Sequence, residues 1–188
     1  MSDIGGKMKK LMKAVLLGAV MLGAVSLIGA EFRIDLLVQK NTCGLAADGG
    51  SEGIRMEKAK WLKEKADCRL HITGKSGEKW EEKWVRFIPA EDCSVSIQLM
   101  SNSTKDYVAF DNIRTEGATL KNGSFEQLNS KGFPSAWYAM RKFTLKNTDA
   151  ADGKNYVEVT HNDRISQIIK CKKGQPVKIT FMVREVKP

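Results

Sequence analysis

The chain has 188 residues, of which 42% are hydrophobic and 28% charged, and its formal net charge is +9. This balance excludes a disordered or low-complexity chain and suits one globular domain with enough residues to bury a core. The basic excess is dispersed, with no run denser than Lys170-Cys171-Lys172-Lys173, so nucleic acid is not the expected partner.

In chain order, the first element is not part of a fold. Lys7, Lys9, Lys10 and Lys13 precede 17 uncharged residues, Ala14 to Ala30. A basic segment, an apolar segment and small residues at its end describe a secretory signal over 1–30, cut after Ala30 or after Ser26. The alternative is an uncleaved anchor, near the lower limit of about 17–25 residues for a membrane span. No cysteine ends the apolar run, so a lipid anchor has no attachment point. Loss of Met1–Ala30 removes four lysines and one aspartate and lowers the net charge from +9 to +6. The protein is therefore expected to be exported: periplasmic, cell-surface or secreted, in a bacterial setting.

From Phe32 onward the pattern has period two. Phe32, Ile34, Leu36 and Val38 alternate with Arg33, Asp35, Leu37 and Gln39. Leu70 and Ile72, Val85 and Phe87, and Val95, Ile97 and Leu99 do the same with their polar neighbours. Further strands are predicted at 107–113, 156–160, 165–169 and 177–183. Short amphipathic strands separated by Gly-rich turns predict an all-β, antiparallel sandwich. One segment departs from the rule: 54–66, with Trp61, Leu62 and alternating Lys and Glu, predicts a short inserted helix. At Gly74-Lys75-Ser76-Gly77 a two-residue turn would make a hairpin. That register places His71 opposite Trp80 and Arg69 opposite Glu82, but sets Leu70 against Glu81. Trp80, Trp84 and Arg86 would then share an outward face with His71.

Four cysteines follow the signal: Cys43, Cys68, Cys93 and Cys171. An even count in an exported chain predicts two disulfides, and three connectivities are possible. Cys43–Cys68, closing the inserted segment, with Cys93–Cys171 is the preferred pairing. The four lack CxxC spacing, so zinc is not indicated.

Residues 120–137 contain Asn122-Gly123-Ser124-Phe125-Glu126, then Gly132-Phe133-Pro134 and Trp137. This resembles the opening of the family 4/9/22 carbohydrate-binding modules, galactose-binding-like jelly rolls. Asp152–Val159, Ser166–Ile169 and Gly174–Phe181 resemble the strands that come next in that family. The family's closing strands resemble Trp80–Phe87, Val95–Leu99 and Tyr107–Ile113, which lie earlier in this chain. In addition, Gly29–Lys40 aligns without gaps to Gly174–Glu185, as though one strand were written twice. The resemblance implies a single, circularly permuted jelly roll over 31–188, with its back half at 31–116 and its front half at 117–188. Two separate half-sandwiches are the alternative, and they would leave core faces exposed.

Sugar rings present C–H faces to aromatic rings and hydroxyls to polar groups. The outward Trp84, Arg86, Trp80 and His71, with Gln167, are the candidate carbohydrate-binding residues; packing roles for the tryptophans are the competing reading. The resemblance makes Trp137 a packing residue, and Trp61 is expected to anchor the helix to the core. The resemblance also implies a structural calcium at Glu126 and Asp111, although calcium needs about six to eight oxygens. Catalysis lacks a signature. His71 and His161 have no metal-ligand spacing, and neither a Gly-x-Ser-x-Gly elbow nor a phosphate loop is present. The expected function is non-catalytic binding of a glycan or polysaccharide. The alternative is a structural or assembly protein of the cell envelope that forms homo-oligomers through the duplicated strand at a sheet edge.

Overall fold

The computed structural model describes residues 29–187, apart from the side chains of residues 61–63. The expected secretory signal therefore lies outside the described residues except for its last two, as does the side chain of Trp61. The strands are β1 (Ala30–Val38), β2 (Leu45–Gly50), β3 (Arg55–Lys58), β4 (Arg69–Ser76), β5 (Glu81–Pro89) and β6 (Cys93–Ser101), then β7 (Tyr107–Glu116), β8 (Tyr138–Ala139), β9 (Thr144–Lys146), β10 (Tyr156–Val159), β11 (Ile165–Cys171) and β12 (Val177–Val186). They form an all-β sandwich of two six-stranded antiparallel sheets. Sheet I has the order β3-β4-β1-β6-β11-β8, and sheet II the order β2-β5-β12-β7-β10-β9. The chain changes sheet at almost every step, as in a jelly roll.

Period-two alternation explains why these segments are strands: one face enters the space between the sheets and the other leaves it. Phe32, Ile34 and Leu36 of β1 are fully buried, as are Ile179, Phe181 and Val183 of β12. The rings of Phe32, Phe110 and Phe181 meet at centroid distances of 5.5–6.3 Å, two of the contacts edge-on. Val95, Ile97 and Leu99 belong to the same apolar cluster as Val157, Val159 and Ile179. Early and late segments of the chain thus share one interior.

Three sequence expectations change. The 74–77 segment does not close a hairpin. β4 pairs with β1 and β3 in sheet I, whereas β5 pairs with β12 and β2 in sheet II. Leu70 thereby faces Leu36 instead of the charged Glu81, and His71 faces Asp35 instead of Trp80. The helix predicted over 54–66 divides in two. Arg55–Lys58 becomes β3, which sends Met56 to the core side opposite Ile72, and only Lys60–Cys68 winds, as a 3-10 helix. Its N-terminus has no side-chain cap, and buried Ala59 is tied to the sheet by its N–H to the Arg69 carbonyl at 3.2 Å. An α-helix would need that tether released.

The duplicated strand is not at an edge. β1 lies between β4 and β6, and β12 between β5 and β7. The two copies occupy central places in opposite sheets and pack across the core through Phe32 and Phe181. β3, β8, β2 and β9 form the edges.

Candidate functional site

The outer face of sheet I carries a polar row built by register. Reading across the strands, Glu57 pairs with His71, His71 with Asp35, Asp35 with Gln98, Gln98 with Ser166, and Ser166 with Tyr138. Directly opposed residues project to one side of a sheet, so six strands deliver their side chains along one line. At about 4.8 Å per strand the line spans about 24 Å.

Asp35 is the centre of this row. It is 2% exposed and accepts a bidentate pair from Arg33, Nε at 2.9 Å and Nη2 at 3.0 Å. His71 Nδ1 lies 2.5 Å from Oδ1, the oxygen that also accepts from Arg33 Nε, and the Arg33 guanidinium reaches 3.5 Å from His71 Nε2. Burial works to raise the Asp35 carboxyl, but hydrogen bonds from His71 and Arg33 outweigh it and hold the group below the ordinary carboxylate range. Beside the triad is a cavity of about 300 Å³ lined by Arg33, Glu57, Lys58, Lys60, His71 and Thr73. At the other end of the row Tyr138, Met140 and Ile168 are 64%, 52% and 48% exposed. That is an open aromatic and apolar platform next to Ser166 and Gln98. A larger cavity, about 530 Å³ between Glu52 and Lys83, is lined by Glu81, whose carboxylate is already held by Lys83 and the Gly77 N–H.

Of the expected sugar-binding residues, only His71 stands on this face. Trp80, Trp84 and Arg86 stand on the outer face of sheet II, and their surfaces are occupied. Trp84 lies over Gly49 of β2, with Lys178 5.7 Å from its ring. Arg86 is ion-paired with Asp48 at 2.6 Å. Trp80 donates Nε1 to the Asp149 carbonyl, meets Tyr156 edge-on at 5.5 Å and has the Arg184 guanidinium 4.7 Å from its ring. Gln167 points the other way, into the sandwich. Its amide donates to the Lys121 carbonyl and accepts from the Lys121 N–H, both at 2.8 Å, and the residue is buried. Asp35, Arg33, Gln98 and Tyr138 were missed. Alternation marked Arg33 and Asp35 as outward, but nothing local shows that β4 brings His71 opposite them.

The Asn122–Glu126 motif has structural work. The Gly123 backbone presses on the Ile113 carbonyl so closely that a Cβ would lie 1.8 Å from that oxygen, so only glycine fits. Asn122, at φ 50°, accepts from the Gln127 N–H and donates to the carbonyls of Gln127 and Ser135. Trp137 packs on Phe125 at 5.2 Å and donates its indole N–H to the Asn122 carbonyl, the packing role expected of it. Glu126 accepts from the N–H groups of Lys154 and Asn155 at 2.8 and 2.7 Å, over Gly153, whose absent Cβ would meet the Glu126 carboxyl at 2.7 Å. Asp111 holds the preceding part of the same loop through the N–H groups of Ala151 and Asp152. Its aim follows from a bulge opposite Phe181, where Asn112 at φ 46° lets Phe110 and Ile113 both point inward.

These two carboxylates are the expected calcium ligands. The 151–155 loop presents N–H donors to them, the polarity opposite to the carbonyl oxygens a cation needs. Among the described residues no three His, Cys, Asp or Glu side chains are grouped to hold a metal. As arranged, the pair clamps the 151–155 loop. Burial raises the Asp111 carboxyl to about 6, against three backbone N–H bonds that lower it.

The cysteines gather at one end of the sandwich. Cys93 and Cys171 are direct partners across β6 and β11, and Cys43, Cys68 and Cys171 are buried. A Cβ on Gly44 would lie 3.7 Å from that of Asp67, and the Gly44 carbonyl accepts the Ala90 N–H, which sets Cys43 between the Cys68 and Cys93 segments. All four are unbonded thiols here. Burial pushes Cys93 up to about 12, with Cys43 and Cys171 adding to it, and Cys171 to about 11. Thiols so raised are poor nucleophiles.

Comparison with known proteins finds no match to a family model, to a curated protein or to a solved structure. No helix among the described residues is long and apolar enough to cross a membrane.

Proposed function

We propose that this chain is an exported, non-catalytic binding module whose ligand is a glycan, held on the outer face of sheet I. The observation that carries the reading is the six-strand row from Glu57 to Tyr138. It runs from a polar cavity beside Glu57 and His71, over the buried Asp35, Gln98 and Ser166, to the exposed ring of Tyr138, on a face long enough for several sugar units. The resemblance of the Asn122–Glu126 motif to carbohydrate-binding modules favours the same class. Binding is favoured over catalysis because His71 Nε2, the nitrogen a general base would use, faces the Arg33 guanidinium. Affinity electrophoresis against soluble polysaccharides tests the reading. Tyr138→Ala is expected to abolish retention and Trp84→Ala to leave it. The reverse result would move the site to sheet II, and no retention on any polymer would sink the reading.

The assembly alternative gains one observation. Tyr138, Met140 and Ile168 form an exposed apolar group beside β8, a two-residue edge strand. Sedimentation at several concentrations tests it: an oligomer that Ile168→Lys dissociates would favour it, and a monomer throughout would not. Glu126 and Asp111 are proposed to act as loop anchors. Chelation with EGTA is then expected to leave Tm unchanged, and a drop of several degrees would restore the calcium.

A further inference from the structure

Sheet I differs from sheet II in what its cations do. On the outer face of sheet II every strand-borne cation meets a carboxylate: Arg86 with Asp48, Arg114 with Glu82, Lys178 with Glu116, Arg184 with Asp149 and Lys146 with Glu158. On sheet I, Arg33 and Arg55 are paired with Asp35 and Glu31, but Arg69 of β4 and Arg164 next to β11 have no carboxylate partner among the described residues. The same holds for Lys60 at the cavity and for Lys121 beside Tyr138, where a second hollow of about 250 Å³ opens. Glu57 is the carboxylate of this row that lacks a cation partner among the described residues. Moreover, Nε of Arg69 and Nε of Arg164 are buried without a hydrogen-bond acceptor. A buried guanidinium N–H without an acceptor is costly. These Nε atoms are closed to an outside ligand, which can meet each half-buried guanidinium only at its other nitrogens, where an anionic oxygen is the acceptor that fits best. Arg184 Nε is also without an acceptor, but its guanidinium is engaged by Asp149, Trp80 and Tyr156.

We infer that the ligand is an acidic polysaccharide, carrying carboxylate or sulfate groups, that lies across the strands of sheet I with anionic groups at Arg69 and Lys60 on one end and at Arg164 and Lys121 on the other. The inference rests on the glycan reading above and adds the charge of the ligand. The two cationic ends lie three to five strand spacings apart, about 14–24 Å, so the site takes a chain and not a single sugar. Between them Gln98 and Ser166 are buried, and the exposed Tyr138, Met140 and Ile168 offer the surface for the uncharged part of such a polymer.

Titration calorimetry on the full chain decides it, with polygalacturonate and dextran sulfate as acidic probes. Carboxyl-reduced polygalacturonate and unmodified dextran are their neutral counterparts, and single-stranded DNA serves as a non-sugar polyanion. An acidic polymer is expected to bind, its neutral counterpart about tenfold more weakly or not at all, and the binding to fall steeply as NaCl rises from about 50 to about 500 mM. The Arg69→Gln/Arg164→Gln variant is expected to lose about tenfold in affinity. The exposed pair Lys60→Gln/Lys121→Gln gives a loss in the same direction without touching buried atoms, and Arg114→Gln on sheet II gives none. Equal binding of acidic and neutral polymers would overturn the charge inference and leave the glycan reading standing. Binding of none would overturn both. Binding of DNA as tightly as the acidic polymers would make this face a general polyanion surface and overturn the inference.

Discussion

Two buried carboxylates, one on each outer face, are treated in opposite ways. Asp35 on sheet I is bound by the Arg33 guanidinium and the His71 ring and is held below the ordinary carboxylate range. Asp111 on sheet II receives only backbone N–H groups and is raised to about 6. The faces around them differ in the same sense. Sheet II matches its charges within itself and covers Asp111 with the 151–155 loop. Sheet I concentrates charge at one buried triad and leaves Arg69 and Arg164 with unmet donors. Sheet II has one such donor, Arg184 Nε, but the rest of that guanidinium is engaged by Asp149, Trp80 and Tyr156. The two on sheet I have no carboxylate partner among the described residues, which leaves that face binding capacity for an anion.

The comparison is most exposed to test at Arg33. Arg33→Ala leaves Asp35 buried with one partner fewer, and urea unfolding is expected to show a loss of about 3–5 kcal/mol; a loss below about 1 kcal/mol would mean the triad is not what holds this face. Next in size is the cysteine cluster. Antiparallel partners approach to about 4.5–5.5 Å between Cα atoms, within the range a disulfide spans. Under oxidising conditions the chain is expected to form Cys93–Cys171, detected by peptide mapping without reduction, and reduction to cost about 2–4 kcal/mol.

The two carboxylates also predict opposite pH dependence. Asp111, raised in the fold, contributes stability below its unfolded value of 3.8 that is lost as pH rises through about 6, an effect of up to about 3 kcal/mol. Asp35, lowered in the fold, contributes stability above about 4 that is lost as pH falls below it. Urea midpoints between about pH 4 and pH 7 for Asp111→Asn should lack the decline that the native chain shows. An identical profile would remove the buried-carboxyl explanation. The smallest effect belongs to the matched surface of sheet II. Arg114→Ala breaks an ion pair whose members are 54% and 58% exposed, and a change within about 0.5 kcal/mol is expected.

Much of the fold was legible because period-two alternation needs no knowledge of partners. β1, β4, β5, β6, β7, β10, β11 and β12 all announce themselves by apolar residues at every second position. β2, reading Leu-Ala-Ala-Asp-Gly-Gly, and the short β8 and β9 do not, because neighbouring strands make them extended. The Asn122–Glu126 motif was legible as a unit, although its work is to shape a loop.

By itself, the sequence determined the class of the fold and the inward face of most strands, although Gln167, expected to meet a ligand, turns inward. Inward or outward is a property of a single strand, set by side-chain polarity and the two-residue repeat. Only the tertiary structure decided which outward residues meet. Asp35 and His71 are 36 residues apart, and they are joined because Leu70 finds Leu36 across the sheet, a choice made by the core and inherited by the surface. The same pairing parted His71 from Trp80 and moved the candidate site from sheet II to sheet I.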